Sequence, residues 1–184
     1  MAKLTFNYSC VNAGKSARLL VQAKNLQDRG HSVKLYIPRS LDECKISSRL
    51  GIEQPALWVN PETDFVKDAL EARFESATGA FPHTIFVDEA QFLSRNHVLQ
   101  LTRVVDDLDI NVEAFGLRTD YTGEPFVGSK YLLSWADELV EVKTACSSGG
   151  YARFSRRLGS SSNQIEIGQH YEPVSRKVFE LWRR

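Results

Sequence analysis

Eight residues near the N-terminus, Ser9-Cys10-Val11-Asn12-Ala13-Gly14-Lys15-Ser16, follow a short apolar run and lead into an amphipathic stretch. A turn ending in Gly-Lys-Ser at the mouth of a helix suits phosphate. Its backbone N–H groups cradle the oxygens, the lysine reaches the β- and γ-phosphates, and the hydroxyl binds Mg²⁺. The full G-x-x-x-x-G-K-[ST] pattern is incomplete, because Ser9 stands at its first glycine. A plain strand-to-helix turn, in which Gly14 supplies only freedom of φ, fits the same string.

A second cluster lies at Thr84-Ile85-Phe86-Val87-Asp88-Glu89. A buried apolar strand that ends in an acid is how phosphate-loop proteins hold Mg²⁺, and Asp88 suits that role. Glu89 leaves the same sheet edge and is placed to take a proton from an attacking hydroxyl. A solvated Asp-Glu pair at a strand end is the plainer alternative. A third set, Phe92, Leu117, Tyr121 and Phe126, falls near the expected strand ends and suits the wall of a flat, apolar ligand site, or simply the core.

The elements that must position these residues follow from periodicity. Residues 4–8, 32–37, 56–59, 84–88, 110–117 and 139–142 are predicted as strands. Helices are predicted over 15–29, stopped by Gly30, over 63–77, over a stretch through His97, Val98, Leu101, Val104 and Val105 capped by Ser94, and over 131–135. In the 63–77 helix, Phe65, Val66, Ala69, Leu70 and Phe74 share one side. Residues 38–55 read as a polar loop. Strands alternating with helices imply right-handed crossovers and a mainly parallel sheet, an α/β fold. After Cys146 the character changes: Ser147-Ser148-Gly149-Gly150 reads as a flexible break, residues 152–158 and 164–168 as a small β-hairpin turning at 160–163, and residues 174–182 as a final helix. The division expected is 1–145 and 146–184.

Composition narrows the classes. The chain has 184 residues, 42% hydrophobic and 25% charged, with 23 basic and 23 acidic side chains. That size is one ordinary domain or one domain with an appendage. A neutral chain lacks the basic excess of a general nucleic-acid binder. No apolar run approaches the roughly 20 residues of a membrane span, and Met1-Ala2-Lys3 opens no signal-peptide pattern, so no membrane partner is expected. Three scattered cysteines, Cys10, Cys44 and Cys146, form no disulfide framework, which points to a reduced, cytoplasmic setting.

Taken together, several strings resemble the type II, tetrameric thymidine kinases, and bacterial members above all. They are Asn12-Ala13-Gly14-Lys15-Ser16, Ile46-Ser47-Ser48-Arg49, Asp88-Glu89-Ala90-Gln91-Phe92-Leu93, Gly116-Leu117-Arg118-Thr119-Asp120, Phe126-Val127-Gly128-Ser129, Tyr131-Leu132-Leu133-Ser134-Trp135 and Ile167-Gly168. The resemblance covers most of the chain, and bacterial members tolerate the missing first glycine. It implies a RecA-like P-loop α/β core with a small C-terminal hairpin lobe, the lasso, in a cytoplasmic homotetramer. The implied reaction carries the γ-phosphate of ATP, with Mg²⁺, to the 5′-hydroxyl of thymidine or deoxyuridine. By the resemblance, residues Ser9 to Ser16 and Asp88 to Gln91 (including Ala90) contact ATP, Ser16 and Asp88 hold Mg²⁺, and Glu89 is the general base. Val11, Phe92, Leu117, Tyr121, Phe126, Ser155 and Tyr171 would surround the nucleoside.

Two departures from the family stand out. The lasso is normally anchored by a structural zinc held by four side chains. Here Cys146 is followed by Ser147, Ser148 and Gly149, and Ser175 and Val178 occupy the later ligand positions. His170 cannot complete the set, so no structural zinc is expected, and packing through Phe154, Tyr171, Phe179 and Trp182 is expected instead. The second departure is at Leu41-Asp42-Glu43-Cys44-Lys45, which is short and has no arginine in register; Asp42 is the nearest acid, and Arg39 and Lys45 are the nearest cations. His31, His83 and His97 read as surface or turn residues, and Arg153, Arg156 and Arg157 as a solvated face or subunit contact. Cys10 and Cys44 read either as close enough for oxidation to matter or, more plainly, as inert small hydrophobes. Two competitors remain: a RecA-type ATPase acting on DNA or a protein partner, and a non-catalytic nucleotide-binding paralogue.

Overall fold

The computed structural model describes residues 1–38, 44–75, 79–158 and 171–183, without the side chain of Glu75. In chain order its elements are β1 (Leu4–Ser9), α1 (Lys15–Asp28), β2 (Val33–Pro38), β3 (Lys45–Ser47), β4 (Glu53–Pro55), β5 (Leu57–Val59), α2 (Phe65–Glu75), β6 (Thr84–Val87), a 3₁₀ turn (Ala90–Phe92), α3 (Arg95–Leu108), β7 (Asn111–Leu117), α4 (Val127–Trp135), β8 (Glu138–Glu141), β9 (Thr144–Ala145), β10 (Tyr151–Ala152), β11 (Phe154–Arg157), β12 (Tyr171–Val174) and α5 (Arg176–Arg183).

Six strands form one parallel sheet in the order β5-β2-β6-β7-β1-β8. Strand alternation sorts its side chains to two faces. Leu4, Phe6, Tyr36, Ile85, Val87, Val112 and Ala114 face a core closed by α2, α3 and α4. Leu35, Ile37, Phe86 and Phe115 face the other way, under Leu19, Leu20 and Ala23 of α1. A sheet buried on both faces explains why these strands read as continuous apolar runs. The consequence for function is at the sheet's carboxyl edge. Both the turn after β1 and the turn after β6 open there, with β7 between them, as ligand-binding turns of open parallel sheets do.

The predicted α/β core is what the chain forms, with several corrections. Residues 44–55 are not simply a polar loop: β3 and β4 form an antiparallel ladder, and Ile46 is buried under α1. In α2, Leu70 and Phe74 are exposed while Phe65 and Ala69 are buried, so the apolar stripe is narrower than its sequence period. His97 is no surface residue. Its ring nitrogen and backbone N–H close a reciprocal capping box with Ser94 at the start of α3. His31 and His83 do lie at exposed positions, their rings 4.3 Å apart.

The C-terminal region departs most. The partner of β11 is β12, in antiparallel register from Phe154↔Val174 to Arg157↔Tyr171. The predicted strand at 164–168, its turn at 160–163 and His170 lie outside the described residues, as do Arg39, Leu41, Asp42 and Glu43. Ser147-Ser148-Gly149-Gly150 is a hydrogen-bonded turn rather than a flexible break. Cys146 N–H donates to the Gly150 carbonyl at 3.0 Å and Gly149 N–H to the Cys146 carbonyl at 3.0 Å, closing β9 onto β10. Gly149 and Gly150 take φ of 90° and 75°, which their missing Cβ permits. Phe154 stacks on Phe179 at 4.4 Å, Phe179 touches Trp182 at 6.0 Å, and Cys10, Cys146, Ala152 and Val174 complete this small core. Tyr171 is not in it; it belongs to the site.

Candidate active site

The strand-to-helix turn after β1 is assembled by two left-handed residues, Asn12 at φ 61° and Gly14 at φ 75°. Ser9 is neither. It is the last residue of β1, paired with Leu117 of β7, and its hydroxyl donates to the Val142 carbonyl at 2.5 Å. A glycine is therefore not demanded at Ser9, which accounts for the incomplete motif. Gly14 precedes α1 directly, so the helix's unpaired N–H groups open onto the turn.

Lys15 is the first residue of α1 and is 8% exposed, with its ammonium donating to the Cys10 carbonyl at 3.0 Å across the turn. Burial pulls its pKa down, opposed by the nearby carboxylates of Glu89 and Asp88. From β6, Asp88 is buried and its N–H donates to the Tyr36 carbonyl at 3.0 Å. Its carboxyl is pushed up to about 7, by desolvation first and then by the Glu89 charge, with hydrogen bonds from the Ser16 hydroxyl and the Glu89 N–H acting the other way. Ser16 and Asp88, the two oxygen donors expected to share a cation, thus lie near each other.

Glu89 sits in the left-handed region at φ 49°, which turns the chain out of the sheet edge into the 3₁₀ turn. A cavity of about 490 Å³ opens over it, lined by Val11 to Ala17 of the turn and α1, Ser47 to Leu50 of the β3–β4 tip, Glu89, Leu117 and Tyr171. A larger cavity, about 700 Å³, lies against Met1, His31, Phe81 and Asn111 at the opposite edge of the sheet, away from these groups.

Of the sequence-predicted residues, the cavity gathers Val11, Asn12, Ala13, Gly14, Lys15, Ser16, Glu89, Leu117 and Tyr171. Asp88, Cys10, Ala90 and Gln91 are buried beneath it. Phe92 and Phe126 meet edge to face at 5.7 Å, outside that wall. Ser155 is buried and reaches the site through its hydroxyl, which accepts the Val11 N–H at 3.1 Å. Tyr121 also stands off the cavity, its ring 4.0 Å from the Arg157 guanidinium. That guanidinium donates to the Tyr171 hydroxyl at 2.9 Å and is buried, so Arg157 is no part of a solvated basic face. Arg156 pairs with Glu172.

Sequence reasoning missed the β3–β4 tip. Ser48 Oγ is buried there without a hydrogen-bond partner among the described residues, and Arg49 beside it is exposed on the cavity wall. The Ile46-to-Arg49 string is visible in the sequence, but only the three-dimensional fold brings it over the turn after β1. Lys45 is engaged with Glu53 at 3.0 Å. Cys44 is exposed on the β3–β4 side, whereas Cys10 is buried beside Cys146. Among the described residues no three His, Cys, Asp or Glu side chains gather as a metal cluster. Cys146 Sγ instead accepts the Ser175 N–H at 3.2 Å and meets Ser148 Oγ at 3.0 Å.

The family model described as thymidine kinase matches residues 2–179. The chain belongs to the thymidine kinase family. It is 44% identical to the thymidine kinase of Salmonella typhimurium strain LT2 over 191 aligned positions, covering 98% of this chain and 91% of that protein. It is 41% identical to the thymidine kinase of Escherichia coli strain K12 with the same coverage. Membership implies the use of ATP and favours a kinase over the RecA-type ATPase and the non-catalytic paralogue. Among the described residues no helix is long and apolar enough to cross a membrane.

Proposed function

We propose that this protein transfers the γ-phosphoryl group of ATP to the 5′-hydroxyl of thymidine, with deoxyuridine as an alternative acceptor. The observation that carries the proposal is the meeting of Lys15, Glu89, Leu117 and Tyr171 on one cavity in a chain of this family. Backbone N–H groups of residues 10–16 cradle the phosphates, and Lys15 leaves the Cys10 carbonyl for the β- and γ-oxygens. Glu89 accepts the 5′-hydroxyl proton as the new O–P bond forms and the bond to the β-phosphate oxygen breaks, releasing ADP. Arg49 supplies a second positive charge beside the transferred group, which matters because this chemistry depends mostly on positioning and charge stabilisation.

Ser16 and Asp88 fit Mg²⁺, since both offer hard oxygen donors and lie near each other. Bound there, the ion would neutralise phosphate charge. Val11, Leu117 and Tyr171 wall the nucleoside, Phe92 and Phe126 flank it, and Ser155 and Tyr121 act through Val11 and through Arg157 with Tyr171. Residues 146–184 serve as the lasso lobe on a 1–145 kinase core, without zinc, in a cytoplasmic homotetramer that engages neither nucleic acid nor membrane.

The test is a coupled ADP-release assay across the deoxynucleosides. Thymidine-dependent release, lowered on the order of 10²- to 10⁴-fold but still measurable in Glu89→Gln with ATP binding retained, is the expected result. DNA-stimulated hydrolysis without thymidine dependence would instead indicate the RecA-type ATPase.

A further inference from the structure

We infer that Gln91 is a positioning residue for Glu89: its side-chain amide fixes the rotamer of the base and ties it to the nucleoside wall. The inference rests on the reading of Glu89 as the proton acceptor. Gln91 is itself expected to contact ATP, yet it is 2% exposed and absent from the cavity lining. Its amide is held at both ends. Oε1 accepts the Leu117 N–H at 3.0 Å, and Nε2 donates to Glu89 Oε2 at 2.5 Å. A backbone N–H can only donate, so Leu117 sets which end of the amide is the oxygen, and the NH₂ must face the carboxylate. Glu89 Oε1 has no hydrogen-bond partner among the described residues, which leaves it for the substrate hydroxyl.

The surroundings give this amide little freedom. A Cβ on Gly116 would come within 2.9 Å of Gln91 Oε1 and 3.0 Å of Gln91 N, so the glycine leaves the space that the side chain fills. The Leu117 peptide is pinned from its other end by Ser129 Oγ, which donates to its carbonyl at 2.5 Å. The base and the Leu117 side chain, both on the cavity wall, therefore share one rigid buried connection. Glu89 needs that connection because its own backbone is left-handed and its side chain would otherwise sample several rotamers. Misplacing a proton acceptor by about 1 Å costs on the order of 10²-fold in rate.

The experiment is a double-mutant cycle on the full chain with Gln91→Met, which keeps the length of the side chain and removes both polar ends. Steady-state kinetics with thymidine and ATP should show kcat falling roughly 10- to 100-fold, with both KM values within about threefold of the parent. In the Glu89→Gln background, Gln91→Met should add no further loss, because a residue acting only through Glu89 has nothing left to position. Parental kcat in Gln91→Met, or a loss of the same size in both backgrounds, overturns the inference. Normal turnover in Glu89→Gln alone overturns the base assignment instead, so the two failures are distinguishable. Should Gln91→Met lose its cooperative thermal melt, Gln91→Asn, whose amide is one carbon too short to span both partners, is read by the same criteria.

Discussion

The Val11 N–H donates to the Ser155 hydroxyl at 3.1 Å, joining the phosphate turn to a strand 144 positions later in the chain. Arg118 reinforces the junction by donating to the Arg153 carbonyl at 3.2 Å, with its guanidinium 5.5 Å from the Phe154 ring. The turn after β1 and the β11–β12 hairpin are therefore joined directly, and under the proposed function this couples the phosphate turn to the lobe that meets the nucleoside.

Ser155→Ala should strand the Val11 N–H. A partly buried donor left without its partner costs about 1 kcal/mol. The expected outcome is a lower urea midpoint at unchanged slope, together with a raised thymidine KM. Unchanged values of both would show that the junction carries no load.

Gly128 of α4 sets the height of the 3₁₀ turn that follows Glu89. A Cβ there would lie 2.4 Å from the Ala90 carbonyl oxygen and 2.9 Å from that of Gln91, both backbone atoms. Gly128→Ala must push the turn away from α4, an overpacking that costs roughly 1–3 kcal/mol. It should lower the melting temperature and kcat together, because the displaced turn carries Glu89. Crystallography or paired melting and kinetic measurements check this directly.

The sequence by itself shows what the chain writes locally. The phosphate turn, the acid pair after β6 and the βα alternation each depend on neighbouring residues and on simple periods. Pairings across long separations were not legible. The pairing of β11 with Tyr171–Val174 is set by register over distance and leaves no local mark, while the hairpin strand expected at 164–168 lies outside the described residues. Three-residue strands such as β3 and β4 are too short to show alternation, so the cavity contribution of Ser48 and Arg49 stayed hidden. His97 looked like an ordinary polar residue because the Asn60 and Pro61 carbonyls that it meets come from a distant loop.

Arg49 tests whether the β3–β4 tip takes part in the reaction. It is exposed, so Arg49→Ala should leave the melting temperature nearly unchanged. If the guanidinium faces the transferred phosphoryl group, kcat should fall on the order of 10²-fold, as for loss of one transition-state donor. Arg49→Lys should recover only part, since a point charge does not reproduce the guanidinium fork. Parental turnover in Arg49→Ala would remove the β3–β4 tip from the reaction.

His97 makes stability pH-dependent in a known direction. Its ring accepts the Ser94 N–H at 3.3 Å, which requires a neutral nitrogen, and burial holds its pKa below the usual histidine value. The unfolded chain therefore binds this proton more readily than the folded one, and stability rises with pH through that interval. The contribution is fully present above the unfolded value near 6.5 and is lost as pH falls through the lower folded one. Urea unfolding at pH 7.5 and at acid pH should show the parent losing more stability on acidification than His97→Gln.

The Cys146 turn should hold without metal. Where four ligands would meet a zinc ion, the thiol accepts a backbone N–H from Ser175 and meets the Ser148 hydroxyl. Hydrogen bonding to Ser148 first, and to its backbone, draws the thiol pKa down. Beside it the Phe154–Phe179 stack, Ala152 and Val174 supply an apolar contact that a zinc-held knuckle would not require. If these contacts carry the lobe, prolonged chelation should leave both the melting temperature and thymidine KM unchanged. Phe179→Ala, which opens a cavity in the same place, should cost roughly 3–5 kcal/mol and raise KM as the lobe loosens. Elemental analysis giving about one zinc per chain, removable with loss of stability, would show that metal rather than packing holds this end of the molecule.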